Sequence, residues 1–361
     1  MTKAAELAKM GEVLTNSQIG GRRNILINGS QIVAQRATQV TGIGASGGYQ
    51  TVDRWTISAA NTAGRFTMDQ STDTPSGFAN STKLTCTTAD TSIAAGEILQ
   101  FQTKIEGQDL QALKKGTSDA EKVTVSFYVK GNASATYTCE LHDRDNTRYN
   151  GQEFSVTTSW TRIILTFTGD TTGAFDNDNA VSMSLNFNLH GGSTYTGGTF
   201  SSNTWHTTAN QRFGDNQTSF FDSTDRTFFI TGIQMEIGSQ ATPFEHRSFG
   251  EELELCKRYL SQVSEASDDT PVHLVGYNQG NGACRYSLHT EMRATPTVTI
   301  TNMDILHGSG TEVNITSVDS IKSQGGITSF RANPQSSITS GDAVIFFTDG
   351  ANASIRLDAE L

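Results

Sequence analysis

The residue types able to do chemistry fall in a few stretches of the chain. Gly42-Ile43-Gly44-Ala45-Ser46-Gly47 matches the glycine pattern that cradles a dinucleotide, and Gly44-Ala45-Ser46-Gly47-Gly48 matches the turn that presents a nucleophilic serine. Both chemistries need a strand before the loop and a helix after it, so that the helix N-terminus faces the pyrophosphate or the nucleophile is held on a sharp turn. Here residues 49–57 continue as a strand pattern, and the stretch reads as a flexible Gly/Ser loop. His142-Asp143-Arg144-Asp145 is the most crowded titratable run. It lies where a strand runs into a turn, and a solvated turn is the reading. None of the seven histidines sits in a nucleophile signature or in paired metal-ligand spacing. Asp and Glu are plentiful enough to supply a glycosidase pair, which keeps a glycan depolymerase open as a class. No residue is assigned as catalytic, and the chain is expected not to be an enzyme.

Two stretches could bind rather than react. Asp170, with Asp176-Asn177-Asp178-Asn179, makes an oxygen-rich loop, and hard cations such as Ca²⁺ take carboxylate and carbonyl oxygens on flexible loops. Asp170, Asp176 and Asp178 are the candidate ligands. The spacing is not that of an EF-hand, and a turn without metal is the competing reading; no other cofactor is expected. Residues 191–208 are rich in Gly, Ser and Thr and carry Tyr195, Phe200, Trp205 and His206. Sugars stack their apolar ring faces on aromatic side chains while amides and charges read the hydroxyls, so Tyr195, Trp205 and His206 are the candidate glycan contacts. The alternative is that these rings plug the loop onto a sheet. Trp55 and Trp160 fall within strand patterns and are expected in the core.

The elements that must position these residues are strands. Of 361 residues, 35% are apolar and 17% charged, both low for a globular chain, and Thr, Ser, Asn, Gln and Gly make up the difference. β-Branched Thr suits a pleated, half-exposed surface, and Gly, Asn, Asp and Ser supply turns. The net charge of −11, with no Lys/Arg stripe, excludes a nucleic-acid binder, which must displace counterions from phosphates. Cys86, Cys139, Cys256 and Cys284 are far apart and expected to be free thiols. Residues 1–11 carry mixed charge and lack an apolar signal core, and no run approaches the length of a membrane span, so synthesis in a host cytoplasm and no membrane insertion are expected.

Periodicity divides the chain into four parts. Residues 1–22 read as an N-terminal helical anchor, with Leu7, Met10 and Leu14 on one face and available to pack on a copy of itself or on a larger body. Residues 23–248 carry strand patterns at 52–57, 64–69, 82–87, 97–106, 123–130, 135–142, 153–158, 160–168, 181–189 and 226–237, which predict a jelly-roll β-sandwich. Residues 249–270 read as a linking helix, with Leu253, Cys256, Lys257 and Leu260 on one face, followed by a polar loop at 264–270. Residues 271–361 carry strand patterns at 272–276, 283–289, 297–301, 311–316, 327–331, 343–347 and 353–358, a second, smaller β domain. The fold class is therefore all-β.

Several strings taken together carry a family resemblance: Gly21-Arg22-Arg23-Asn24-Ile25-Leu26-Ile27-Asn28-Gly29, Val33-Ala34-Gln35-Arg36, Val52-Asp53-Arg54-Trp55, Glu106-Gly107-Gln108-Asp109-Leu110, Phe167-Thr168-Gly169-Asp170-Thr171-Thr172-Gly173-Ala174-Phe175, Gly232-Ile233-Gln234-Met235-Glu236-Ile237-Gly238 and Ala241-Thr242-Pro243-Phe244-Glu245. The ensemble resembles structural and tail-fibre-like proteins of tailed, especially marine, bacteriophages. Its large domain looks like the jelly roll shared with carbohydrate-binding modules. The resemblance implies a virion protein, often a homotrimer, that attaches to other virion proteins of the tail or capsid through its N-terminus and touches host-surface glycans. A capsid-bound head fibre or decoration protein is the alternative within that family. The modules it resembles often hold a structural Ca²⁺.

Overall fold

The computed structural model describes Lys3 and residues 23–265, 271–278, 284–288, 291–307, 311–324, 327–334, 343–348 and 353–361. The anchor reading, with Leu7, Met10 and Leu14, lies outside the described residues. The chain divides into two compact units, Met1–Phe249 and Gly250–Leu361.

The first unit is a jelly-roll sandwich of two six-stranded antiparallel sheets. Its strands are β1 (Gln39–Ile43), β2 (Gly48–Tyr49), β3 (Trp55–Ala60), β4 (Arg65–Ser71), β5 (Ser81–Thr88), β6 (Ile98–Glu106), β7 (Val123–Gly131), β8 (Ala135–Asp143), β9 (Arg148–Val156), β10 (Thr161–Phe167), β11 (Val181–Gly191) and β12 (Thr227–Ile237). One sheet runs β1-β4-β5-β12-β7-β10 and the other β2-β3-β6-β11-β8-β9. Apart from the pairs β2-β3, β4-β5 and β8-β9, successive strands cross between the sheets, so each hydrophobic alternation feeds a shared interior. Val125, Phe127 and Val129 from one sheet meet Phe101, Phe187 and Phe154 from the other. Trp55 stacks on Phe101 at a centroid separation of 4.9 Å, and Phe127 meets Phe187 edge-on at 4.9 Å. The strand-like run 24–29 does not join a ladder. Asn28 adopts a φ of 57°, and its side chain bonds Val33 and Asp53 backbone groups, so it lies as a buried strap beneath Trp55. Gly29 is required there: a Cβ would sit 2.0 Å from the Ile233 carbonyl oxygen, beside the bulge that Gly232 makes at a φ of 61°.

Trp160 departs from the core expectation. It is half-buried on the outside of the first sheet, where its indole N–H donates to Asp73 Oδ1 at 3.1 Å and Lys130 lies 5.6 Å from its ring. The loop expected at 42–48 also changes: β1 extends to Ile43, and Gly48 pairs with Ile57.

After the short helix α1 (Ser193–Thr196) of the first unit, the helix α2 (Phe249–Lys257) leads into β13 (Leu260–Glu265). The helix stops earlier than its apolar face suggested, because Leu260-Ser261-Gln262-Val263 switches to alternation and pairs with the terminal strand β21 (Ala353–Asp358). β21 also pairs with β16 (Thr297–Thr301). The remaining strands, β14 (Pro271–Asn278), β15 (Cys284–Leu288), β17 (Met303–His307), β18 (Thr311–Gln324), β19 (Ile327–Pro334) and β20 (Ala343–Thr348), close into a barrel in the order β14-β15-β19-β18-β17-β20. Ile305 and Phe330 of the barrel share one buried cluster with Ile355 and Leu357 of β21. Asp319 and Arg331, directly opposite on β18 and β19, pair through two hydrogen bonds and mark the register.

Candidate functional site

The strands β3, β6, β11, β8 and β9 alternate, so the face opposite their apolar side chains carries three cross-strand rows. Ser58, Gln100, Asn188, Thr138 and Glu153 form the first; Thr56, Gln102, Asn186, Glu140 and Gly151 the second; Lys104, Ser184, His142 and Tyr149 the third. An outward sheet face is ordinarily wet, yet Gln100, Gln102, Ser184, Asn186, Asn188, Thr138, Glu140 and His142 are all buried. The cover comes from residues 192–217, which hold the turn α1 (Ser193–Thr196). Arg212 forks onto Glu140 with two hydrogen bonds of 2.8 Å, Gly214 N–H donates to Thr138 Oγ1 at 2.8 Å, and Gln217 Nε2 donates to the Asn188 carbonyl at 2.7 Å. Toward the β6 side, the exposed Arg144 reaches back over the floor, donating to Ser184 Oγ and Gln102 Oε1.

Several floor atoms have no hydrogen-bond partner among the described residues: Asn186 Oδ1, Asn188 Nδ2, His142 Nδ1 and, at the rim, His206 Nε2. Their companions are used, since Asn186 Nδ2 donates to Glu140 and Asn188 Oδ1 accepts from Gln100. A polar atom buried unpaired costs about 1–3 kcal/mol. These atoms have almost no accessible surface, so a ligand outside the fold does not reach them in this arrangement.

Aromatic rings frame one side. Arg212 lies 4.5 Å from the Tyr149 ring and 5.6 Å from that of Tyr195, and Tyr195 stacks on Phe213 at 5.6 Å. His142 and His206 pack beside Tyr149 at 4.5 and 5.8 Å. Of the residues singled out from sequence, Tyr195 and His206 thus converge on Tyr149 and Arg212. Trp205 does not join them. It packs on the sandwich core and donates from its indole to the Thr168 carbonyl at 2.7 Å, which makes it a plug for its loop. The floor amides gave no sequence signal beyond strand alternation, since an Asn on an outer face reads as ordinary surface.

Burial pushes the His142 pKa down to about 3; Glu140 opposes the shift, while Arg144 and Arg212 add to it. His206 is shifted down too, again chiefly by burial. The His142 ring therefore stays neutral in the fold at pH values where an unfolded histidine, titrating at about 6.5, is already charged. Below that pH the unfolded chain takes up protons that the folded chain refuses, so stability falls as pH drops from about 6.5 toward 3, at up to about 1.4 kcal/mol per pH unit for His142, and the His206 shift acts in the same direction. Urea denaturation at stepped pH is expected to show this loss, and His142→Gln to flatten it; an unchanged slope in the variant would remove His142 from the account.

The calcium candidates are not brought together. Asp176 and Asp178 are exposed, and Asp178 Oδ1 caps its own turn by accepting from Ala180 N at 2.9 Å. Asp170 is buried and faces cations already in the protein. Arg148 bonds it through Nε at 2.7 Å and Nη2 at 3.1 Å, and Lys115 Nζ lies 3.2 Å away. The same ammonium lies 2.7 Å from Asp143 Oδ2 and donates to the carbonyls of Thr172 and Gly173 at 2.6 and 2.7 Å. The residues do not fit a metal ion, because Lys115 fills the oxygen cage. Among the described residues no group of three His, Cys, Asp or Glu side chains could hold one.

A hydrogen-bond chain also joins Ser219 Oγ, His190 and Glu97, at 2.7 and 2.9 Å. Its order resembles a nucleophile relay, but the imidazole is wholly buried and the serine oxygen already accepts the Phe221 N–H. The chain ties residues 219–221 to β11. Among the described residues no helix is long and apolar enough to cross a membrane.

No protein-family model and no curated protein matches the chain. Solved structures similar to it include a family 11 carbohydrate-binding module of a cellulosomal cellulase from Clostridium thermocellum (12% identity, 55% of this chain and 94% of that one, TM-score 0.28). A tandem family 22 carbohydrate-binding module from Paenibacillus barcinonensis Xyn10C aligns at 10% identity over 94% of this chain and 97% of that one, with a TM-score of 0.29. The enzymatically active domain of tailspike protein 4 from bacteriophage CBA120 aligns at 12% identity over 59% of this chain and 21% of that one, with a TM-score of 0.29. At these scores the similarities carry no argument beyond the topology described above.

Proposed function

We propose that the chain is a non-catalytic, glycan-binding adhesion protein whose binding face is the outward side of the β3-β6-β11-β8-β9 sheet. The observation that carries this reading is the rim of this face, where the half-buried Tyr195 and His206 gather around Tyr149 and Arg212 and the Arg144 side chain stays exposed. A half-buried ring offers a stacking face to a sugar, and a guanidinium beside it can donate to the hydroxyls. The test is affinity electrophoresis of the full chain through a panel of neutral and acidic polysaccharides. Retardation by at least one polymer is expected, with Tyr195→Ala weakening it at least tenfold while melting shifts by only a few degrees. Migration unchanged by every polymer in the panel would sink the reading.

The resemblance of its strings to phage structural and tail-fibre-like proteins supports placing this adhesin on a virion, as a homotrimer attached to tail or capsid proteins through residues 1–22. Particles assembled with a chain lacking residues 1–20 test that placement. The truncated chain is expected to keep its polysaccharide binding and to be missing from the particle; normal incorporation rules out the anchor.

A further inference from the structure

Parts of three strings singled out in the sequence, at residues 23–29, 232–238 and 241–245, meet at one place in the first unit. Arg23 and Glu245 lie 222 positions apart, yet the Glu245 carboxylate accepts the backbone N–H of Arg23 at 2.7 Å and that of Asn24 at 2.9 Å. Two residues on, the Arg247 guanidinium donates to the carbonyls of Asn24 at 2.7 Å and Leu26 at 3.0 Å. The partner number rises with the residue number, so residues 23–26 and 245–247 run in the same direction, as in a parallel pair. The chain ahead of Arg23 therefore leaves at one end of the contact, and the chain after Arg247 at the other. β12 ties both segments: Ile25 N–H donates to the Met235 carbonyl at 3.0 Å, and Glu245 N–H donates to Gln234 Oε1 at 2.7 Å. Asn24 and Leu26 are buried, which limits the access of water to the bonds they make.

We propose that this contact is a load-bearing clasp: tension that enters the chain ahead of Arg23 and leaves it after Arg247 crosses these four bonds directly and spares the β-ladders between them. Force at the two exits slides the segments past one another, so the bonds are loaded together and must break together. A contact peeled from one end loses its bonds singly, at lower force. These bonds are also of the stronger, charge-assisted kind, N–H to carboxylate and guanidinium to carbonyl. Forced unfolding follows the barrier to leaving the native state, not the equilibrium stability, so bonds on the load path count for more than their share of the folding free energy. The clasp makes the sandwich a side-mounted module, whose sheets keep their shape while the chain is pulled from residues 1–22 to residues 250–361. It goes beyond the adhesion reading and is tested apart from it, since it needs a load between the two exits and no glycan.

The experiment is single-molecule pulling of the full chain from its two ends. Loss of the clasp releases residues 27–244, which lengthens the chain by roughly 700–800 Å at about 3.3–3.6 Å per residue, while the second unit releases roughly half of that. Pulling the same chain through handles at the exposed Ser118 and Ser201 leaves the clasp off the load path. Glu245→Ala and Arg247→Ala are each expected to lower the end-to-end rupture force of the first unit by about twofold or more, and to leave the force between Ser118 and Ser201 near the wild-type value. Glu245→Gln keeps an acceptor oxygen for the same N–H groups and is expected to recover part of the loss. An equal fall in both geometries makes the contact a general brace of the fold, and an unchanged end-to-end force takes it off the load path; either result overturns the proposal. If an alanine variant shows no first-unit event because it does not fold, Glu245→Gln pulled in both geometries decides in the same way.

Discussion

Glu140→Ala is expected to destabilise the first unit by about 3–5 kcal/mol, because it strands a buried arginine without its counter-charge. Glu140 is wholly inaccessible and Arg212 nearly so. Their two bonds of 2.8 Å are joined by the Asn186 amide at 2.8 Å, so the carboxylate satisfies three donors at once. Burial alone works to raise the Glu140 pKa; the Arg212 charge and its hydrogen bonds outweigh it, and the carboxyl is held below its usual range. The sign follows: this contribution is present above the unfolded value near about 4.3 and is lost as pH falls through the lower folded value. Urea denaturation of the variant at neutral pH is the measurement. A companion variant, Glu140→Leu with Arg212→Met, is expected to recover much of the loss, since a packed apolar pair replaces a buried ionic one at little cost. It should nonetheless bind polysaccharide poorly, because Arg212 also braces Tyr149 and Tyr195. A loss below about 1 kcal/mol for Glu140→Ala would mean that Arg212 swings into water and residues 192–217 are held elsewhere, as an exposed pair would behave.

The strands were legible because alternation is a local property. Val123, Val125, Phe127 and Val129 point into the core whatever partner they find, and the pattern identified β7 without knowledge of its neighbours. The strap at 24–33 was not legible as a strap. Its apolar run looks like a strand, and only the partners of Asn28 and Asn24, which lie far along the chain, show that side-chain amides replace the ladder. The same limit applies to the site. Tyr195 and His206 stood out because aromatics in a polar stretch are conspicuous, yet Asn186, Glu140 and Gln102 acquire meaning only from register across β6, β11 and β8. Trp205 and Trp160 exchange the expected roles: the loop tryptophan packs on the core, and the strand tryptophan lies outside the sheet. Whether a ring is plug or platform depends on which residues lie under it.

Lys115→Ala carries the second large effect, and it turns on why Asp170 looked like a calcium ligand. The oxygens that sequence suggested for a cation do in part surround one, but it is the lysine ammonium. Asp143 and Asp170 carboxylates and the Thr172 and Gly173 carbonyls lie 2.6–3.2 Å from Nζ, and all three charged side chains are buried. Removing the ammonium leaves Asp143 without its counter-charge, while Asp170 keeps Arg148. The expected cost in the presence of a chelator is about 3–5 kcal/mol. Calcium–oxygen distances of about 2.3–2.6 Å are shorter than the lysine contacts, so a modest contraction of the same cage admits the ion, with water completing its shell. Millimolar Ca²⁺ is therefore expected to raise the melting temperature of Lys115→Ala and to leave that of the wild type unchanged; saturation at about 100 times the dissociation constant returns about 2.7 kcal/mol. If Ca²⁺ stabilised both proteins equally, the ion would bind elsewhere and Lys115 would not be the cage's occupant. If it stabilised neither, the four oxygens would be held apart by the sheet rather than by the ammonium between them. The wild-type arrangement has a physical advantage over a metal: a tethered cation is present at unit stoichiometry as soon as the chain folds, independent of the ions outside.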